Sequence, residues 1–421
     1  MTGGNDRRVV ITGVGPVTSI GIGAGPFWQA LRAGRSVVEP RQLHLDFGKE
    51  VQIPMASMPP ALPIIKPHHE FLERQDYAGY RDLAYALAAI DLAIEDARLT
   101  YDRANNTIGS IQAFEAPGME RAVVGLFETC ATLSPDKPPQ VYEALAPQYY
   151  NTQGFLYVHV MGKAFGFHGF STSVHNACSS GMYAIELAAQ RIRCGETDVM
   201  IVAGGEAFDT AVRIEWFRQL GLYAADATMR PFDAQSTGFY VGEGAGALVL
   251  ESLSSAERRG ATPYAEYVGG RFAQQGWKHS IPDVRANRLA GVIASTLEST
   301  GTSPESIDLI VPHGASTPTS DGYEAVSLKT SLNGRAKNAV ATVLKPHVGH
   351  MLAASAIVEL IGSLQAMRHG CVPATLNSRP TSGKLPVPLA TETIEKEVRT
   401  LLKVSTGFTG HDAAAVFRRV D

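Results

Sequence analysis

Two apolar runs in the chain are nearly continuous, VMIVAGGEAF at Val199 to Phe208 and AGALVLES at Ala245 to Ser252. A strand with such a run is typically buried on both faces, as the central strands of a sheet are when helices cover both sides. Further strands are predicted at PYAEYVGG, IDLIVPHG, NAVATVL and AAAVFRRV, and helical spacing fills many of the intervals, as in YRDLAYALAAIDLAIEDARL. The pattern predicts an α/β fold.

Three other stretches bear on the organisation of the chain. RRVVITGVG predicts a buried strand over Val9 to Thr12 that ends in a glycine turn. The glycines that follow lack the spacing of a dinucleotide-binding loop, so we interpret them as sites of close backbone packing. The proline-rich stretch from Gln42 to Lys66 is predicted to be irregular, and the polar stretch from Ser254 to Pro263 is the best candidate for a boundary.

Charge and cysteine content exclude several classes of protein. The chain has 41 acidic and 37 basic residues among 421, and the net charge of −4 argues against broad nucleic-acid binding. Its cysteines, Cys130, Cys178, Cys194 and Cys371, form no C-x-x-C pair, which argues against a disulfide framework or a zinc site. The sequence shows no secretory signal and no apolar stretch long enough to span a bilayer, so we expect a cytoplasmic protein with no membrane partner.

Cys178 lies in VHNACSSGMYAIELAA, between small residues and directly before a run with helical spacing. The N–H groups and the dipole of a helix N-terminus favour thiolate, which predicts a pKa below the usual value of about 8.5. The same N–H groups are suited to binding an oxyanion. Taken alone, the segment supports a packing cysteine and a nucleophile equally.

Two later segments supply candidate partners for a nucleophile. His313 follows the predicted strand IDLIV, where a side chain reaches a cleft, although a lone histidine there is more often structural. In TVLKPHVGHMLAAS, Lys345 adds a positive charge and His350 stands near the start of a helix. The positive end of that helix disfavours imidazolium, so His350 is predicted to stay neutral and to donate a hydrogen bond. His347 is assigned no role.

The C-terminal segment VSTGFTGHDAAAVF places Gly407, Phe408, Thr409 and Gly410 in a predicted turn before a strand. Glycines permit positive φ and movement, so a loop that carries one bulky aromatic residue is a candidate gate. An ordinary turn at the start of a strand is the alternative.

Together these segments resemble the β-ketoacyl-acyl-carrier-protein synthases, the elongating condensing enzymes of type II fatty-acid and polyketide systems. The resemblance rests on NACSSG, HGAST, LKPHVGH, GFTG and the long match MRPFDAQSTGFYVGEGAGALVLE, and the opening RRVVITGVGPVTSIG also fits. It covers essentially the whole chain. It implies a thiolase-type, five-layered α-β-α-β-α fold of two similar halves, which we expect at residues 1–255 and 256–421, and usually a dimer.

The resemblance also implies a mechanism. Cys178 would take the acyl group from the carrier protein as a thioester. His313 and His350 would bind the malonyl thioester and stabilise the enolate that forms when carbon dioxide leaves, with Lys345 in support. The backbone N–H groups of Cys178 and Phe408 would form the oxyanion hole, and Phe408 would gate the nucleophile with Gly407 and Thr409 beside it.

Further roles follow from the same resemblance. Asp321, Glu324 and Glu359 match acidic positions that hold the site together. Arg74 and Arg218 lie near positions that dock the acidic carrier protein in relatives. The implied partners are this carrier protein and either a second copy or a ketosynthase-like paralogue. No cofactor or metal is expected, because the substrates are carried on the phosphopantetheine of the carrier protein.

The chain departs from the family pattern at the gate and beside the nucleophile. Thr409 stands where the family has glycine, which should stiffen the loop, and Thr406 stands where phenylalanine is common. His175 and Asn176 before Cys178 are also unusual. These departures favour a specialised polyketide or unusual fatty-acid pathway over housekeeping elongation.

Other classes with this fold fit less well. A thiolase adds a second reactive cysteine in a glycine-rich motif, which the surroundings of Cys371 do not provide, and initiating synthases pair cysteine and histidine with asparagine. A non-catalytic chain-length partner subunit typically lacks the cysteine that this chain has at position 178.

Overall fold

The computed structural model of the protein describes residues 7–46, 49–59, 62–132, 152–224, 226–379 and 385–420, with positions 136, 142, 143, 146 and 149. Its strands are β1 Val9–Thr18, β2 Gly21–Ile22, β3 Glu39–Asp46, β4 Lys49–Met55, β5 Gly109–Ala113, β6 Ser171–Val174, β7 Val199–Glu206, β8 Gly244–Ser252, β9 Ala265–Gln274, β10 Leu309–Val311, β11 Val340–Ala341, β12 Cys371–Val372, β13 Ile394–Glu395, β14 Thr400–Gly407 and β15 His411–Arg418. Its α-helices are α1 Ala24–Arg32, α2 Lys66–Glu73, α3 Arg81–Asp96, α4 Met119–Thr132, α5 Gly154–Phe165, α6 Ser180–Arg193, α7 Val212–Gln219, α8 Leu253–Arg258, α9 Arg288–Ser299, α10 Pro318–Leu332, α11 Lys345–Val348 and α12 Leu352–His369. Short 3₁₀ turns lie at Ala177–Ser179, Pro304–Ser306 and Phe408–Gly410.

Eleven of the described strands form one mixed sheet, in the order β11-β10-β14-β15-β9-β1-β8-β7-β5-β6, with β2 beside β1. The strands near each edge, β5 with β6 and β7, and β10 with β11 and β14, pair in parallel. The central pairs are antiparallel. Among the strands that the structure describes, only the short antiparallel pair of β1 and β9 joins the N-terminal strands to the C-terminal strands, so the sheet consists of two halves.

Helices cover both faces of each half. α3 packs on β1, β7 and β8, whereas α6 and α12 pack on each other and lie between the two halves, where α12 touches β7, β8 and β14. α9 packs on β9 and β15, with α10 against it. Side-chain alternation in β8 separates the layers: Leu248 and Leu250 join the central core, whereas Ala247 and Val249 pack with α3. The predicted α/β class and the five-layered α-β-α-β-α fold are confirmed.

The first strand is longer than predicted, because β1 does not end at Thr12. Its glycines lie against α3: a Cβ atom would stand 2.2 Å from the carbonyl oxygen of Ala93 at Gly13, and 1.9 Å from that of Ala89 at Gly15. Gly13 and Gly15 are therefore needed for close backbone packing, and the predicted turn is wrong. Among the later glycines, for which close packing was predicted, Gly21 is tightly packed, with a Cβ position 2.7 Å from the backbone nitrogen of Phe27, whereas Gly25 has no heavy atom within 4 Å of that position.

One further sequence prediction needs correction, and two elements were not predicted. The stretch from Gln42 to Lys66 is not irregular throughout, because β3 and β4 form an antiparallel hairpin there. The polar stretch from Ser254 contains most of the short helix α8, whose first turn is capped by Ser252. The segment before the C-terminal loop is itself a strand, β14, which pairs along its length with β15.

Among the described residues, no helix combines the length and the apolar character that crossing a bilayer would require. Cys178, Cys194 and Cys371 are free thiols. The side chain of Cys130 lies outside the described residues.

Candidate active site

Cys178 lies in a tight turn between β6 and α6. Ala177 has φ 49°, a left-handed conformation that costs a non-glycine residue about 1–2 kcal/mol. The Ser180 hydroxyl stabilises the turn, because it accepts a hydrogen bond from the N–H of Asn176 at 2.8 Å and donates one to the carbonyl of Ala177 at 2.7 Å. The turn places the Cys178 side chain, 6% exposed, at a cavity of about 460 Å³.

Two histidines reach the same cavity from the C-terminal half of the chain. His313 follows β10, and His350 lies between α11 and α12. The sulfur of Cys178 and one ring nitrogen of each histidine lie within 4.8 Å of one another. The two imidazole rings meet edge to face with centroids 5.4 Å apart. The structure thus brings together three side chains that are far apart in the sequence.

The surroundings of both rings favour neutral imidazole. Burial lowers the pKa of His313 and of His350 well below the usual value, and the ammonium groups of Lys345 and Lys403 lower each further. The predicted neutral state of His350 therefore has a different main cause, burial rather than the helix terminus. The ammonium of Lys345 lies 3.5 Å from Nδ1 of His313. Since an ammonium only donates, Nδ1 accepts, and the ring proton is on Nε2.

His350 is held by its own neighbours. Its Nδ1 lies 2.8 Å from the hydroxyl of Ser355 in the first turn of α12, and its ring meets that of Phe239 edge to face. His347, to which the sequence assigns no role, is buried elsewhere with its two ring nitrogens 2.9 and 2.8 Å from the carbonyl oxygens of Arg35 and Ala374. His347 therefore joins three segments of the fold.

A buried charge network stands behind the histidines. Lys345 donates to the carbonyl oxygen of His313 at 2.6 Å and to one carboxylate oxygen of Glu359. Lys403 donates to the other Glu359 oxygen at 2.6 Å. These three charged side chains are at most 2% exposed, so each needs the others as partners. Lys403 was missed at the sequence level, although a lone lysine within the apolar run TLLKVSTG is itself a signal of a buried partner.

The other two acidic positions bind backbone N–H groups. Glu324 accepts the N–H groups of His313 and Gly314 on its two carboxylate oxygens, and burial raises its pKa to about 7 although those hydrogen bonds oppose the shift. Asp321 accepts the N–H of Phe232 at 2.7 Å. Both residues belong to α10; Glu324 fixes the loop that carries His313, whereas Asp321 holds the backbone at Phe232.

The predicted low pKa of the nucleophile is wrong for this site. Burial raises the pKa of the Cys178 thiol, the Glu115 carboxylate raises it further, and the Lys345 ammonium opposes the shift. The cost of desolvating the thiolate therefore outweighs the stabilisation that the N–H groups at the start of α6 would give it. The resting site holds a neutral thiol.

The predicted gate loop lies directly against the nucleophile turn. At Gly407 a Cβ atom would stand 2.9 Å from the carbonyl oxygen of Asn176, so a side chain does not fit there without movement. The ring of Phe408 packs on Trp216 and Phe217, with centroids 5.4 and 6.0 Å away. Both Gly407 and Phe408 line the cavity.

Thr409 is exposed and has φ 62°, in the left-handed region that the glycine of the family pattern adopts freely. Its hydroxyl donates to the carbonyl of Phe408 at 2.6 Å, its N–H donates to the carbonyl of His279, and its carbonyl accepts from the Gln274 side chain at 2.6 Å. Three hydrogen bonds thus hold a strained threonine in the loop.

The two predicted docking arginines lie in different places. Arg218 is on α7 between Phe217 and Gln219, which both line the cavity, and it pairs with Glu215 at 2.6 Å. Arg74 caps the C-terminus of α2 instead, next to Glu73, which lines a separate and larger cavity of about 1460 Å³. Only Arg218 is therefore placed at the rim of the candidate site.

Cysteine sulfur and imidazole nitrogen are donor types that also bind zinc. Here, however, the Lys345 ammonium is 3.5 Å from a ring nitrogen of His313, and the nearby Lys403 ammonium also lowers the pKa of both imidazoles. A cation between Cys178 and the two histidines would meet that positive charge. The charge distribution suits an anion or a developing oxyanion better.

Comparisons with known proteins agree on one family. Residues 6–256 match the family model described as Beta-ketoacyl synthase, N-terminal domain, and residues 264–379 match Beta-ketoacyl synthase, C-terminal domain. The mitochondrial 3-oxoacyl-[acyl-carrier-protein] synthase of Arabidopsis thaliana is 30% identical, over 98% of this chain and 94% of its own length.

Solved structures give the same result. The ishigamide ketosynthase/chain length factor superposes with a TM-score of 0.84 at 27% identity, over 99% of this chain and 100% of that chain. A type II polyketide synthase ketosynthase, solved with its acyl-carrier protein and bound to the hexaketide, superposes with a TM-score of 0.81 at 26% identity, also over 99% and 100%.

Proposed function

The chain belongs to the β-ketoacyl synthase family, and from that premise we propose that it extends an acyl group on Cys178 with malonyl-acyl carrier protein in a type II polyketide or specialised fatty-acid pathway. Ketosynthase activity is common to both kinds of pathway. The observation that carries the proposal is the cluster of Cys178, His313 and His350 within 4.8 Å, backed by the buried ammonium of Lys345.

Loading of the acyl group begins with the neutral thiol. The sulfur of Cys178 attacks the thioester carbonyl of the acyl carrier protein, a new carbon–sulfur bond forms, and the pantetheine sulfur leaves with the proton that the thiol gives up. The tetrahedral oxyanion is stabilised by the backbone N–H groups of Cys178 and Phe408. Proton and sulfur exchange together, so the buried site gains no net charge.

Condensation then depends on the two histidines. The malonyl carbon–carboxylate bond breaks, carbon dioxide leaves, and the electron pair moves into an enolate whose oxygen accepts hydrogen bonds from His313 and His350. A neutral imidazole with its proton on Nε2 is such a donor. The enolate carbon attacks the acyl-Cys178 carbonyl, the β-ketoacyl carrier protein is released, and the cysteine sulfur takes up a proton from solvent.

The direct test is the mass of the Cys178 peptide. The protein is incubated with a panel of acyl carrier proteins that differ in chain length and aromatic character, and malonyl carrier protein is then added. We expect an acyl adduct on Cys178 and an elongated product, with Cys178→Ser as the matched control that forms no thioester. Absence of an adduct with every donor would refute the proposal.

Two alternatives remain within the family. A non-catalytic chain-length subunit would have no use for a cysteine held between two histidines, and this geometry favours an active subunit. Housekeeping elongation is the second alternative, and the donor panel tests it: a preference for unbranched saturated chains would support housekeeping elongation.

We propose that the partner subunit is a second copy of this chain or a ketosynthase-like paralogue. The mass of the complex after co-expression with either would distinguish the two.

We further propose that the carrier protein docks at the rim near Arg218, because acidic carriers need basic contacts close to the entrance. Arg74 is the weaker candidate, since it lies beside the other cavity. Arg218→Glu is expected to weaken carrier affinity more than Arg74→Glu, while alkylation of Cys178 by iodoacetamide stays at the wild-type rate. Equal affinities in both variants and wild type would place the docking face elsewhere.

A further inference from the structure

Lys403 is a member of the buried charge network to which neither the family resemblance nor the mechanism above assigns a role. It lies in β14 with a fully buried side chain, 0% exposed. Its ammonium donates to Glu359 at 2.6 Å and to the carbonyl of Val404 at 3.0 Å. Burying an ammonium is costly, and Glu359 already has Lys345 as a partner, so stability alone does not explain a second lysine.

The contacts lead from Lys403 to the reacting groups in two steps. Lys403 holds one oxygen of Glu359, and the other oxygen holds Lys345. Lys345 in turn donates to the carbonyl of His313 and lies 3.5 Å from its Nδ1. Fixing the carboxylate from one side therefore fixes the direction of the ammonium on the other.

Charge gives a second connection. In the part of the chain that the structure describes, the titratable groups around the two imidazoles are Cys178, Glu324, Glu359, Lys345, Lys403 and the imidazoles themselves. Within the network, the two ammoniums exceed the one carboxylate of Glu359, so the cluster is positive. Without Lys403 it would be neutral.

We propose that Lys403 is a positioning residue for the condensation step: it directs Lys345 at His313 through Glu359 and keeps both imidazoles neutral through its positive charge. The inference rests on the proposed function of the same site. It concerns the histidine half of the chemistry and leaves acyl loading on Cys178 in place. The low pKa of both histidines, to which the Lys403 charge contributes, is consistent with it.

The experiment compares the pH dependence of carbon dioxide release from malonyl carrier protein in four proteins. Lys403→Met keeps the length of the side chain and removes the charge. We expect the acid limb of its profile to move up by about one pH unit, or about tenfold lower rates on that limb, with a smaller loss at alkaline pH. The matched control is Leu402→Val, in the same strand but with its side chain buried in a separate hydrophobic cluster. The acid limb of its profile should stay at the wild-type pH.

The fourth protein carries Lys403→Met with Glu359→Gln, which restores one net positive charge. Its acid limb should return towards that of the wild type if charge is the cause. If Lys403→Met fails to fold, Lys403→Arg replaces it, and the limb should then stay at the wild-type position because the charge is kept.

The outcomes separate this inference from the proposed function. Superimposable profiles for Lys403→Met and wild type would overturn the role of Lys403, while acyl adducts on Cys178 in both would leave the ketosynthase proposal intact. An acid limb of the double variant at the same pH as that of Lys403→Met would also refute the role of the Lys403 charge. Failure of every protein to load an acyl group would instead refute the proposed function.

Discussion

Glu359→Gln tests the buried charge network most directly. The carboxylate of Glu359 accepts from Lys345 on one oxygen and from Lys403 on the other, and all three side chains are almost completely buried. A glutamine of the same shape offers one acceptor oxygen. Its amide group would direct N–H donors at the second ammonium.

The size of the effect follows from these contacts. Removing one partner of a buried ion pair costs about 3–5 kcal/mol, because a buried charge is left uncompensated. Each ammonium keeps one backbone carbonyl, that of His313 for Lys345 and that of Val404 for Lys403, which limits the loss. We therefore expect Glu359→Gln to lower the free energy of unfolding by about 3–5 kcal/mol near neutral pH.

The deficit should depend on pH in a definite direction. Burial lowers the pKa of Lys403, and the Glu359 charge opposes that shift, so its removal lowers the pKa further. A base whose pKa is lower in the folded chain destabilises the fold while it is charged. That penalty fades as the pH rises towards the lysine value of the unfolded chain, about 10.4.

Urea unfolding at a series of pH values measures both quantities. The control is Glu305→Gln, which removes an exposed carboxylate paired with Arg335 and should have a much smaller effect. A Glu359→Gln deficit below about 1 kcal/mol, or one that does not shrink towards alkaline pH, would refute the charge network as described.

Three other predictions concern the nucleophile, the gate and the N-terminal core. Burial raises the pKa of the Cys178 thiol, so the rate of its alkylation by iodoacetamide should rise about tenfold per pH unit above neutral. The rate is measured in a Cys194→Ser background. A rate that is already constant above neutral pH would indicate a resting thiolate. Thr409→Gly relieves a left-handed conformation that costs threonine about 1–2 kcal/mol, and it should change acyl-loading rates differently for short and long chains. Loading rates equal to those of the wild type at every chain length would refute a role of Thr409 in the movement of the gate. Burial raises the pKa of Asp82 to about 6, so the free energy of unfolding falls by about 3 kcal/mol as the pH rises from about 4 through 6. Asp82→Asn should abolish that loss in urea unfolding. A difference between the variant and wild type that does not depend on pH would contradict this prediction.

Some elements were predictable because their signals are local. The continuous apolar runs of β7 and β8 predicted buried central strands, and the spacing in α3 predicted a helix that lies close to where it is found. The hairpin of β3 and β4 was not predicted, because Pro40 and Pro54 within its strands argued against a strand although the apolar residues of β4 alternate. β14 was missed because the glycine-rich loop that follows it dominates the local pattern.

The candidate site shows the same division. His313 follows a predicted strand, and Cys178 and His350 stand where predicted helices begin, so the sequence marks them as candidates. The pKa of Cys178 was predicted in the wrong direction, because a helix start is visible in the sequence and the depth of burial is not. Lys403 was missed because its partner Glu359 is 44 positions away.

By itself, then, the sequence determined the α/β class, the order of the main strands and helices, and the residue types available for acyl transfer. Apolar periodicity and turn residues act over a few positions, so they are readable without the fold. Only the tertiary structure decided which candidates meet within reacting distance, which of them are neutral, and that Glu359 lies between two lysines. Burial and Coulomb energy depend on contacts between distant segments, and those contacts exist only in the folded chain.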